Sequence, residues 1–366
     1  MAPGSRRPEV LLARRGGGVE LLRLPAALYG AATGIRGALY DRGWLPVERL
    51  DVPVVCVGNL TAGGTGKTPM VAHVVRALQA RGHRPGLLSR GYGGRADDRR
   101  KGGANDEGAL LAALLPGVPH VFEADRASGG RRLVERGVDA IVMDDGFQHR
   151  RLVRDLDLVL VDATRPWGLP APEDGGAPVR ALLPRGLLRE SPRALTRAGA
   201  LVLTRTDQVE AAALDALDAE LERLAPGLPR LRAVHRPRRL VSVSGGERAL
   251  DALRDAEVDL VSGIGNPEAF ERTVEELGAR VTEHRRFPDH HAFGAGDVAG
   301  LGAGGRALVT TAKDAVKLAR LAPDALALEV ELELVAGAPV LDALLDALPA
   351  GRARRERASL HEGLHG

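Results

Sequence analysis

Residues 54–69 read VVCVGNLTAGGTGKTP: a short apolar run, a glycine-rich turn, then Gly66-Lys67-Thr68 opening a helical pattern. A buried strand that feeds a phosphate-binding loop has this form. Glycines let backbone N–H groups approach phosphate oxygens, and the first turn of the following helix adds the positive end of its dipole. The nucleotide-holding segment is therefore Thr61, Ala62, Gly63, Gly64, Thr65, Gly66, Lys67 and Thr68. Lys67 can bridge the β- and γ-phosphates, and the Thr68 hydroxyl can ligate Mg²⁺. One departure from the usual pattern stands at its first position, where Thr61 replaces glycine. Further on, AIVMDDGFQH (140–149) ends an apolar run in acid. That brings Asp144 and Asp145 out at the carboxyl end of a second strand, where they can hold Mg²⁺ directly or through its water shell.

Outward from these two segments the chain alternates apolar runs with helical patterns. Strands are expected at 53–58, 85–89, 139–143, 157–162, 200–204, 258–263 and 307–311, and a helix from Thr68 to Arg81. Such alternation predicts an α/β fold: a P-loop NTPase parallel sheet covered by helices. Around 232–247, RAVHRPRRLVSVSGGE, strand-like residues are interrupted by Pro237 and a glycine pair. We expect a domain junction there. The divisions are then 1–45, a disordered start and an interfacial helix; 46–236, a P-loop kinase domain; 237–335, a second, smaller α/β domain; and 336–366, a helix and a basic tail.

The composition is that of an ordinary soluble chain: 366 residues, 44% hydrophobic, 27% charged, formal net charge +3. Fibrous, polytopic-membrane and disulfide-scaffold classes are excluded, the last by the single cysteine, Cys56. No leader pattern stands at the N-terminus, so export is not expected. The basic end lacks interleaved aromatics, so no nucleic-acid partner is expected either. Lysine is rare in this arginine-rich chain, occurring at 67, 101, 313 and 317. A lysine spared by such a bias is worth inspecting, because arginine does not replace a compact point charge. Lys313 and Lys317, at helical spacing after a strand, read equally as a solvated helix face or as groups near the nucleotide.

Residues 19–44, VELLRLPAALYGAATGIRGALYDRGW, spread apolar and arginine residues at near-helical spacing. No apolar run is long enough to cross a bilayer. Two readings stand: an amphipathic helix lying in a membrane interface through Tyr29, Tyr40, Trp44, Arg23, Arg36 and Arg42, or a cover over the protein's own core.

Seven motifs occur in order: GNLTAGGTGKTP (58–69), LSRGYGG (88–94), NDEGALLA (105–112), DDGFQH (144–149), GIGNPEAF (263–270), FPDHHAF (287–293) and TTAKDAVKL (310–318). Together they resemble the tetraacyldisaccharide 4′-kinase family, the lipid A 4′-kinases, over roughly residues 20–335. The resemblance implies ATP-dependent phosphorylation of the 4′-hydroxyl of a tetraacylated glucosamine disaccharide 1-phosphate. The lipid substrate would be met at the cytoplasmic face of the inner membrane by a peripheral enzyme with no obligate protein partner. It implies catalytic roles for Asp106, His290, Lys67 and Arg126, metal positions at Thr68, Asp144 and Asp145, and substrate positions at Tyr92, Gln148 and His149. Asp106 would accept the hydroxyl proton, with His290 orienting it or tuning its pKa. Arg126 would stabilise the transferring phosphoryl group or hold the 1-phosphate. The family usually has proline where Gly108 stands here, and His291 rivals His290 as the paired histidine.

Two other functions are weighed. A P-loop GTPase switch would use TRTD (204–207) to read guanine, but Arg205 and Thr206 fit that role badly. A kinase for a small soluble metabolite would share the chemistry and differ in the acceptor.

Overall fold

The computed structural model describes residues 8–91, 106–172 and 175–350, with only the backbone of Asp106. Tyr92 therefore lies outside the described residues. One sheet organises the described residues, with strand order β3-β2-β4-β1-β5-β6-β7-β12-β11-β9-β10 and a two-residue β8 (Glu247–Arg248) beside β7. The strands near the phosphate loop are β1 (Val54–Asn59), β2 (Pro85–Ser89), β3 (His120–Phe122), β4 (Ala140–Asp144), β5 (Leu156–Asp162) and β6 (Ala200–Thr204), paired in parallel. β7 (Arg230–Ser242) joins β6 in parallel and β12 (Leu326–Ala336) antiparallel. Beyond β12 lie β11 (Ala307–Thr311), β9 (Glu257–Ser262) and β10 (Arg280–Arg286), again in parallel.

β1 is buried along its whole length, so its apolar run does not alternate with polar residues. Val55 and Val57 join one core with Met70, Val71, Val74, Val75 and Leu78 of the helix α3 (Lys67–Ala80); Val54 and Cys56 face another with Ile141 and Met143. The i, i+4 spacing of the α3 residues makes the stripe that seats this helix on the sheet. Each large side chain so buried contributes roughly 1.5–3 kcal/mol, which fixes the helix start beneath the phosphate loop.

Residue 237 falls inside β7, which is continuous through Pro237. The proline stands where the ladder with β12 shifts register, at Glu329/Val330, so the missing N–H is absorbed by a bulge. β7 and β12 thus belong to both halves of the sheet. Part of the start expected to be disordered is also helical: α1 (Pro8–Ala13) precedes a 3₁₀ turn (Gly17–Leu22) and α2 (Arg23–Asp41). Buried Arg185 donates to the carbonyls of Leu12 and Arg14 and pairs with Glu20, clamping this segment to the body.

α2 docks through its small residues. Ala26 is buried, and a methyl group on Gly30 would collide with Leu182. The Tyr29 hydroxyl donates to the Arg189 carbonyl at 2.9 Å. Leu24, Leu28 and Ile35 lie on the opposite face, 71%, 66% and 63% exposed, and Leu21 and Trp44 are exposed beside them. Three of its large apolar side chains therefore face outward, whereas Tyr29, Leu39 and Tyr40 are half-buried. Arg36 reaches inward to the Gln148 carbonyl and lies over Tyr40, whereas Arg23 pairs with Glu20 and Arg42 lies over Trp44.

Candidate active site

The phosphate loop follows β1 and ends at Gly66, whose left-handed φ of 87° opens α3. A Cβ at Gly66 would strike the His235 ring on β7, so both the backbone conformation and the space demand glycine. The loop is held from outside by its backbone: the Ala62 amide donates to the Leu187 carbonyl, and the Thr65 carbonyl accepts from the Thr204 hydroxyl. Beyond the Ala62 anchor, Gly63 to Thr68 line a cleft. Opposite Gly63 and Gly64 sits Gly265, where a side chain would collide with the Gly64 amide.

Lys67 points back under the loop. Its ammonium donates to Asn59 Oδ1 at 3.1 Å and lies 3.4 Å from Asp145 Oδ1. Asp145 also accepts from Arg189 at 2.8 and 2.9 Å. Burial alone would raise the Asp145 pKa, but Lys67 and Arg189 outweigh it and hold the carboxyl well below its usual range. Asp144, at the end of β4 beside Val57 of β1, has the opposite fate. Burial, then the charges of Asp145 and Glu107, push it up to about 7 against the opposing Lys67 and Arg126. The adjacent carboxylates therefore differ in kind: one is compensated by neighbouring cations, and the other keeps a raised pKa.

Arg126 is buried at the first turn of α5 (Arg126–Glu135), where desolvation lowers its pKa and Asp144 opposes that loss. Gln148 donates to the Asn59 carbonyl at 3.0 Å and so braces the end of β1. His149 is kept neutral, its pKa lowered to about 4 by burial and then by Arg126. Asp106 opens α4 (Asp106–Leu114). His290 has a left-handed φ of 63°; its amide donates to Asp289 Oδ1 at 3.1 Å, and its ring is about half exposed. His291 is engaged elsewhere, stacked on Phe287 and 2.9 Å from Asp297 Oδ2.

A cleft runs from the loop between the two halves of the sheet. Its lining includes Gly63–Pro69, Ile264, Phe270 and Val330, together with Glu107, Asp289 and Lys313. Several of these groups were not singled out by reading the sequence for this site: Asn59, Arg189, Ser89, Glu107 and Asp289. Ser89 lies 3.4 Å from Asp144 Oδ2 and 2.9 Å from His120 Nε2. Ser89 and Glu107 sit inside motifs and carried a signal through their neighbours; Arg189 had none.

A glycine-rich loop between a buried parallel strand and a helix, with lysine beneath it and acid at the next strand end, defines a P-loop nucleotide-binding protein. The sequence profile of the Tetraacyldisaccharide-1-P 4'-kinase family matches residues 19–350, and the chain belongs to that family. It is 45% identical over 347 residues to the tetraacyldisaccharide 4'-kinase of Anaeromyxobacter dehalogenans (strain 2CP-C), covering 88% of this chain and 89% of the relative. The kinase of Syntrophus aciditrophicus (strain SB) is 39% identical over 350 residues, covering 86% of this chain and 89% of the relative. The crystal structure of LpxK from Aquifex aeolicus in complex with ATP superposes with a TM-score of 0.67 at 31% identity, covering 89% of this chain and 98% of that one.

Proposed function

We propose that the chain is a tetraacyldisaccharide 4′-kinase of lipid A biosynthesis, transferring the γ-phosphoryl group of ATP to the 4′-hydroxyl of the tetraacylated disaccharide 1-phosphate. The products are ADP and the 1,4′-bisphosphate. The observation that carries this reading is Lys67, held under a glycine loop between Asn59 and Asp145 in a chain of this family.

The residues do the following work. The loop amides and the start of α3 hold the triphosphate, and Lys67 neutralises charge as it shifts to the leaving ADP oxygen. The acceptor oxygen bonds to the γ-phosphorus as the bond to the β-γ bridging oxygen breaks. The acceptor proton passes to Asp106, with His290 as its orienting partner. The engagement of His291 with Phe287 and Asp297 favours His290 over its neighbour. Arg126, which feels the charges of Asp144 and Asp145, is assigned to stabilise the transferring phosphoryl group or to hold the 1-phosphate. Tyr92, Gln148 and His149 are assigned to the substrate side.

The donor set fits Mg²⁺, since Thr68, Asp144 and Asp145 offer oxygen only. The raised pKa of buried Asp144 is a cost that a divalent ion removes. Bound there, the ion supplies charge neutralisation on the phosphate oxygens.

The acyl chains belong in a bilayer, so the enzyme works at the inner-membrane surface, on its cytoplasmic face. Among the described residues no helix is long and apolar enough to cross a membrane. Support for peripheral docking comes from the outward stripe of Leu24, Leu28 and Ile35, flanked by Leu21, Trp44 and the exposed Arg23. The test is transfer of label from γ-labelled ATP to the tetraacylated disaccharide in mixed micelles. Labelled lipid is expected only with the acylated acceptor; transfer to a small soluble sugar instead would overturn the reading.

A further inference from the structure

Lys313 remains from the sequence with no role in the site as drawn. It lies in the first turn of the short helix Ala312–Leu318. Its side chain is only 14% exposed, so it is not on a solvated face. The ammonium reaches two carboxylates from separate parts of the fold: Asp289 Oδ1 at 2.9 Å and Glu107 Oε1 at 3.1 Å. Burial would lower the Lys313 pKa, but the two carboxylates outweigh it and raise it, so the group is a permanent cation.

The position of the two carboxylates in the chain matters most. Glu107 follows Asp106 in the first turn of α4, on the phosphate-loop half of the sheet. Asp289 precedes His290, and its Oδ1 accepts both from Lys313 and from the His290 amide. That amide bond accompanies the left-handed φ of 63° at His290, a conformation a non-glycine residue keeps only when its surroundings hold it. One compact cation thus touches the neighbour of each member of the proposed Asp106–His290 pair.

We infer that Lys313 is a positioning residue that assembles the reacting end of the cleft, tying Glu107 and the start of α4 to Asp289 and the His290 that follows it. The inference rests on the assignment of Asp106 and His290 above. Arginine would spread the same charge over a larger planar fork, whereas the compact ammonium fits the buried point where the two carboxylates converge. This accounts physically for a lysine in a chain that otherwise prefers arginine.

The test is steady-state turnover of acylated disaccharide in mixed micelles, paired with ATP binding in the absence of lipid. Misplacing reacting groups by about 1 Å costs on the order of 10²-fold in rate. Lys313→Met and Glu107→Gln should each lower kcat by about that factor while the ATP Kd stays within about threefold. Lys313→Arg should recover part of the loss, and the Lys313→Met/Glu107→Gln double variant should be little worse than the worse single one. Weakened ATP binding with kcat kept at saturation would make Lys313 a nucleotide ligand and overturn the inference, as would unchanged kinetics in both single variants. Should Lys313→Met fail to fold, Glu107→Gln decides, because it leaves the lysine paired with Asp289. Asp106→Asn and His290→Ala are measured alongside. If those keep full turnover, the assignment beneath the inference has failed; if they lose it while Lys313→Met and Glu107→Gln do not, only the inference has.

Discussion

The phosphate cradle and helix α2 both break the ordinary rule of burial, in opposite directions. Around Lys67 the fold buries charge: Asp144 is buried, and Asp145 is partly buried between a lysine and an arginine. Along α2 the fold leaves leucine and isoleucine in solvent and spends alanine and glycine on the contact with the body. Neither arrangement helps a chain merely to stay folded. A buried charge is costly unless compensated, and an exposed apolar stripe gains nothing from water. The comparison teaches that burial alone explains neither region: the cradle is built for polyphosphate, and the outward stripe of α2 is the surface that the proposed membrane docking would use.

The sharpest way to break this comparison is to empty the cradle. Lys67→Ala should reduce turnover by on the order of 10²–10³ or more, because a preorganised charge facing the transferring phosphate is lost. Far-UV circular dichroism should be unchanged, since Arg189 still compensates Asp145. Activity within a few-fold of the intact protein would mean that Lys67 serves the fold alone.

Next comes the helix. Replacing Leu24, Leu28 and Ile35 together by serine removes large side chains worth roughly 1.5–3 kcal/mol each when fully buried. Co-sedimentation with anionic vesicles should fall at least about tenfold even if each is only partly inserted, while ATP binding is unaffected. These positions probe the surface more cleanly than reversing Arg23 and Arg36, because Arg36 also holds the Gln148 carbonyl. Equal sedimentation of the triple variant would return the stripe to chance.

The smallest effect concerns what the buried acid costs. With its pKa near 7 in the folded protein against 3.8 in the open chain, Asp144 retains a proton between about pH 4 and 7 that the unfolded chain releases. Stability therefore falls as pH rises through that window. Asp144→Asn removes the titration, so in EDTA and without nucleotide its Tm should exceed that of the unaltered protein by a few degrees at pH 8 and match it near pH 4. A lower Tm at pH 8 for the variant would show that the carboxylate is compensated by a partner in the empty site.

Much of the architecture was legible because the central strands are buried on both faces and must be continuously apolar. β1, β2, β4, β5, β6, β9 and β11 lie within a residue or so of the runs read from the sequence. The unread strands have other physics. β3 and β10 are the two edges of the sheet, each with a neighbour on one side only, so β10 can be RVTEHRR. β7 carries a proline that a bulge in the ladder accommodates, and β12 pairs glutamates with the β7 arginines, as in Arg236–Glu333 and Arg239–Glu329.

The sequence by itself determined the phosphate cradle. A polyphosphate is bound by consecutive backbone amides, so the residues that bind it must be consecutive in the chain, and the glycines that permit close approach are visible there. Only the tertiary structure decided which face of α2 looks outward, because that depends on what Ala26 and Gly30 find to pack against. The same holds for Lys313, whose partners lie 206 and 24 residues away. An ion pair acts through space at a few ångströms, and nothing in local spacing records which distant carboxylates a fold will bring to one ammonium.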